Sequence, residues 1–161
     1  LLRQADYDAE FDLRLRARAD AVRPVLEEVA RGDAAEANSA MRKNAVAMLG
    51  TAGNDGSVDV LAPLLADERP ELRANAIRSL GRISTPRAAA TLETRLDAPD
   101  LRPTEGTIIV RSLAGIGRTE SVAPIRRFRN RLASEAKSRP GTPGELERID
   151  EVLRRIERLR D

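Results

Sequence analysis

Apolar residues recur along this chain in three related nine-residue phrases, NAVAMLGTA (44–52), NAIRSLGRI (75–83) and IIVRSLAGI (108–116). Aligned on a shared leucine, they bring Leu49, Leu80 and Leu113 into register, 31 and 33 residues apart. Three positions earlier stands a branched apolar side chain each time, Val46, Ile77 and Val110, the i, i+3 spacing of one helix face. Gly50, Gly81 and Gly117 predict the stops, because glycine accepts the left-handed conformation that ends a helix. A second apolar run follows each phrase: VDVLAPLLAD (58–67), AAATLETRLD (88–97) and SVAPIRRFRN (121–130). Pro63 and Pro124 fall early in their runs, where few backbone donors are lost. The pattern predicts helical hairpins over 38–68, 70–98 and 104–135. Each is too small to bury its own apolar side, so each must stack on the next.

The ends follow the same logic. The stretch YDAEFDLRLRARADA (7–21) alternates apolar and charged residues as a strand would. The same residues also make a helical stripe of Tyr7, Phe11, Leu15, Arg18 or Ala19, and Val22, with Glu10–Arg14 and Asp12–Arg16 as favourable i, i+4 pairs. Alanine content and scarce β-branching favour the helix, and a lone strand would have nothing to pair with. VRPV (22–25) repeats the bulky–x–Pro–bulky figure of the later runs, so 1–36 is expected to form a divergent first hairpin. After SRPGTPG (138–144), a capping box of Thr142, Pro143 and Glu145 opens a last helix over 142–160. Its Leu146, Ile149, Leu153 and Ile156 share one face, widened by Val152 and Leu159. Two heptads are too few for an independent coiled coil, so this helix is expected to cap the stack. The whole of 1–161 reads as one domain.

Composition narrows the chemistry. Aromatic residues are 2% of the 161, so the core must come from Leu, Ile, Val and Ala. Charge is abundant at 34% but nearly cancels to +2, and Lys43 and Lys137 are the lysines among 28 basic residues. There is no Cys and no His, which removes disulfides, thiolate metal sites, most nucleophilic triads and imidazole acid–base schemes. No apolar run reaches the ~18 residues of a membrane span. The chain opens on Leu1 rather than Met, so an upstream signal peptide, anchor or domain is expected, and cytoplasmic and periplasmic placements both stay open. The fragment GTAGNDG (50–56) reads as an inter-helix turn rather than a phosphate loop, because no strand precedes it. The acids Asp33, Glu36, Asp67, Asp97 and Asp100 fall in expected caps and turns.

The segment LAPLLADERPELRANAIRSLGRI (61–83) resembles the HEAT-repeat family, in particular its short bacterial form related to phycobilin-lyase-type repeats. The resemblance rests on Leu61 and Leu65 before Asp67, then Pro70, Leu72–Arg73, Ala76 and Leu80–Gly81. Leu92, Leu96, Asp97 and Pro99 repeat part of it. It covers 41–132 well and 1–40 loosely. It implies an all-α fold, an α-solenoid (α–α superhelix) of about four HEAT-like hairpins with a C-terminal cap helix, and a non-catalytic protein-binding scaffold. The family's enzymes fit poorly. HEAT-like hydroxylases hold iron on His–Glu pairs, HEAT-like glycosylases present Trp and Tyr, and no pigment-binding set of the lyases carries over to residues here. No cofactor or metal is expected.

One cluster remains. In IRRFRNRL (125–132), projection at 100° per residue buries Val122, Ile125, Phe128 and Leu132 and leaves Arg126, Arg127 and Arg131 outside. Arg129 falls within the arc and needs either an acid on the last helix (Glu147, Asp150 or Glu151) or a route to water. The resemblance implies that second helices line the binding groove. Charge along them is graded, from Asp59 and Asp67, through Arg87, Glu93, Arg95 and Asp97, to the four arginines of the third. This predicts recognition of an acidic peptide or helix through Arg95, Arg126, Arg127 and Arg131, with Asp59 as the opposite pole. Nucleic acid is the second candidate, although four phosphate contacts would lose about 100-fold in affinity between about 50 and 200 mM salt. A phycobilin-lyase-like enzyme is the third.

Overall fold

A computed structural model describes residues 2–33, 38–135 and 142–158. Among them the regular structure is helical throughout, and the chain divides into two compact units, Leu1–Ile83 and Ser84–Asp161. The division falls inside the 70–98 segment.

The first unit holds α1 (Leu2–Ala17), α2 (Ala19–Arg31), α3 (Ser39–Ala52), the short α4 (Val58–Leu61) and α5 (Pro70–Ile83). The stripe predicted through Arg18 is broken there by a turn, so it belongs to two helices. Leu15 is buried as expected, whereas Phe11 stays 46% exposed. Glu10 pairs with Arg14, but Asp12 instead accepts from Thr51 Oγ1 at 3.2 Å. Gly32 (φ 89°) ends α2, donating to Val29 O, while the next amide returns to Glu28 O. Asn38 caps α3 by accepting from the Met41 amide at 2.9 Å.

The central helix of this unit is α3, which packs against α1, α2 and α5. Gly50 and Gly81 are not stops. Helix α3 runs on to Ala52 and α5 to Ile83, where Ser84 takes the left-handed conformation (φ 58°). Gly50 serves packing: a Cβ there would lie 3.0 Å from Ser79 Cα. Removing that side chain lets α3 and α5 approach, and Ser79 Oγ donates to Val46 O at 2.7 Å. Leu49, Leu61, Leu72, Ile77 and Leu80 are almost wholly buried, worth at most about 1.5–3 kcal/mol each. The 58–67 run is not one helix. Pro63 has no N–H to continue the ladder, so α4 stops at Leu61 and a 3-10 turn over Pro63–Ala66 follows.

The second unit holds α6 (Pro86–Leu96), α7 (Pro103–Ile116), α8 (Val122–Glu135) and α9 (Thr142–Glu157). Thr85 caps α6 with Pro86 at the first helical position. Gly117 (φ 74°) does end α7, donating to Leu113 O at 3.0 Å. Helix α6 packs on α7 and α8, and α9 on the same two helices. Leu92, Leu96, Ile109, Leu113, Ile125, Ile149 and Ile156 are buried between them. Phe128 fills a notch left by Gly106, where a Cβ would stand 2.1 Å from Phe128 Cζ. The predicted apolar face of the last helix is present in Ile149, Leu153 and Ile156. The side chains of Thr142 and Pro143, two of the three residues of the expected capping box, and Leu159 lie outside the described residues.

Candidate functional site

Arginine dominates both units and is used in two ways. The first closes helix ends. The last carbonyls of a helix lack backbone partners and carry partial negative charge, and guanidinium groups from neighbouring helices meet them. Arg42 Nε donates to Ala30 O at 2.8 Å and Arg23 Nε to Ala52 O at 3.0 Å. Arg73, 6% exposed, donates through Nη1 to Asp67 O at 2.7 Å and Glu68 O at 3.0 Å. Asp67 completes this corner. Its carboxylate accepts from Arg69 through the backbone amide, Nε and Nη2 at 2.9, 2.9 and 3.0 Å, with Arg42 Nη1 3.9 Å away. The Arg69 hydrogen bonds hold its carboxyl down at about 2, against an ordinary 3.8, despite opposing desolvation.

The second use joins arginine to acids nearer the surface, and every arginine chosen from the sequence as a partner anchor is engaged within its own unit. Arg95, its side chain 11% exposed, grips Asp100 through Nη1 and Nη2 at 2.7 and 3.0 Å. Arg127 on α8 holds Asp97 at 3.1 and 2.6 Å, which lowers that carboxyl's pKa. Arg126 pairs with Glu157 of α9. Arg129 makes a two-pronged contact with Asp150 at 2.9 Å on both arms, and this lowers the Asp150 pKa. Of the three acids expected as candidates for Arg129, the other two, Glu147 and Glu151, stay exposed. Arg131 is half-buried rather than freely exposed. Its Nη2 reaches Leu96 O, the end of α6, at 2.6 Å, and its guanidinium carbon lies 5.6 Å from the Phe128 ring centre. Asp59 is exposed on α4 in the first unit and is itself not without a partner.

A pair of serine clasps went unnoticed in the sequence. Ser57 and Ser121 are completely buried. Ser57 Oγ donates to Glu27 Oε1 of α2 at 2.6 Å, and Ser121 Oγ donates to Glu93 Oε1 of α6. Both serines precede a valine that opens a second helix (57–58 and 121–122). Both glutamates follow a leucine in the second helix one repeat earlier (26–27 and 92–93). That double recurrence was the available signal.

The repeat spacing, the arginine-closed corner after Asp67 and the stacked hairpins of each unit agree with the sequence comparison: a profile of HEAT repeats matches residues 23–109. The chain belongs to the HEAT-repeat family. HEAT repeats imply an α-solenoid, are generally protein-interaction scaffolds and are typically non-catalytic. No curated protein and no solved structure matches the chain. Among the described residues no group of three or more His, Cys, Asp or Glu side chains is placed to hold a metal ion. No described helix is long and apolar enough to cross a membrane.

Proposed function

We propose that this HEAT-repeat chain, acting as one repeat domain over 1–161, is a non-catalytic module that binds another protein through its second helices, α8 above all. The favoured partner is an acidic peptide or helix. The supporting observation is the state of Arg126 and Arg127. Their side chains are 61% and 58% exposed although each is paired, and their acids, Glu157 and Asp97, are themselves 35% and 46% exposed. Exposed ion pairs contribute only ~0–1 kcal/mol, so a partner carboxylate can replace an intramolecular one at little cost. The buried face of α8 meanwhile stays fixed by Ile125, Phe128 and Leu132. Arg131 and Arg95 sit lower and more covered, and in this reading they shape the floor of the surface. Asp59 enters as a separate acidic contact on the first unit.

The test is capture of a partner in a pull-down with Arg126→Glu and Arg127→Glu together. Lost capture with an unchanged helical circular-dichroism signal supports the reading. Undiminished capture removes α8 from it. A parallel titration with single- and double-stranded oligonucleotides at low and moderate salt decides whether phosphate competes as the ligand.

A further inference from the structure

The α8 arginines are all occupied, but a different pair is not. Arg111 on α7 and Arg148 on α9 are both exposed, and neither forms an ion pair or hydrogen bond among the described residues. They line one cleft between these two helices, together with Thr107, Val110, Ile149, Glu151 and Val152. Its floor is apolar. Val110 and Ile149 are each 1% exposed, held there by the packing of α9 on α7. Thr107 Oγ1 donates to Pro103 O at 3.1 Å, so its proton is already committed within α7. Against the two guanidinium groups stands one carboxylate, Glu151, which leaves the cleft net cationic.

We infer that the α7–α9 cleft is a second binding site, taking an acidic side chain and an adjacent aliphatic one from an extended peptide. Size argues for side chains over a cofactor. The cleft holds about 200 Å³, below the ~300–1,000 Å³ of small-molecule sites. It exceeds the ~150 Å³ that accepts one benzene-sized group. Charge argues for the carboxylate, because two unneutralised guanidinium forks favour a planar, two-oxygen acceptor. The valine and isoleucine floor supplies the aliphatic part.

The site is independent of α8, and the experiment keeps the two apart. A fluorescein-labelled peptide of alternating Leu and Glu is titrated by anisotropy against the full chain. The same is done for its Leu–Gln counterpart and for a labelled single-stranded oligonucleotide. The Leu–Glu peptide should bind, and Arg111→Ala with Arg148→Ala should weaken it at least about tenfold, with the circular-dichroism spectrum unchanged. The same loss on Arg111→Ala with Arg148→Ala should persist in an Arg126→Glu, Arg127→Glu background, so that it cannot be assigned to α8. The inference fails if the wild-type chain does not bind the peptide, if the Arg111/Arg148 variant binds it equally, or if the Leu–Gln peptide binds as tightly. Tighter, Arg111- and Arg148-dependent binding of the oligonucleotide would likewise overturn the peptide assignment.

Discussion

Asp67 and Asp97 occupy the same place in successive repeats, directly after the second apolar run, and the two units treat them differently. Asp67 is 13% exposed and enclosed by an arginine two residues on, with Arg73 closing the carbonyls beside it. Asp97 is 46% exposed and held by Arg127, thirty residues away on α8. The first is a corner of the fold and the second a strut on its surface. An Arg–Asp pair thus has no fixed meaning within a repeat. Its role follows from how far the carboxylate is withdrawn from water and whether a helix end lies beside it.

That contrast can be broken at graded cost. Arg73→Ala should be the most damaging change. It uncaps two carbonyls and removes a nearly buried side chain, a loss of about 3 kcal/mol, seen as an early denaturant midpoint. Next comes Gly106→Ala in the second unit, which drives a methyl group into the Phe128 ring and should cost about 2 kcal/mol. Hydrogen exchange should place that loss in α7 and α8. Smaller again is the acid response of Asp67. Its folded pKa, about 2, lies below the ordinary 3.8, so its contribution is full well above the ordinary value and is lost as pH falls toward 2. Asp67→Asn should flatten that part of the stability–pH curve, measured by melts across the acid range. Asp97→Asn should do the same only weakly, at or under about 1 kcal/mol, and added salt should erase the difference.

Much of this fold was legible because core positions repeat. Leu49, Leu80 and Leu113 announced themselves by spacing, and all three are fully buried. The buried arc of α8 likewise followed from projecting a single helix. Gly50 and Gly81 misled because a glycine before a polar stretch reads equally as a stop or as a contact. Only the presence of Ser79 against Gly50 distinguishes them. The destinations of the arginines were legible only where one partner helix was obvious, as for Arg129 and α9. Arg42, Arg73 and Arg131 bond to backbone carbonyls, and no residue type marks a carbonyl in a sequence. Arg111 and Arg148 drew no attention because they sit 37 residues apart, and only the packing of α7 on α9 makes them neighbours.

The division of arginines into those that hold helix ends and those open to a partner is tested most directly by one denaturant melt. The subject is the quadruple variant carrying Ala at positions 111, 126, 127 and 148, run beside wild type. The account predicts only the small downward shift of two exposed ion pairs, at or under about 1 kcal/mol each. A midpoint shifted as far down as that of Arg73→Ala would mean these four side chains hold the fold together, and the surfaces assigned to partners would lose their basis.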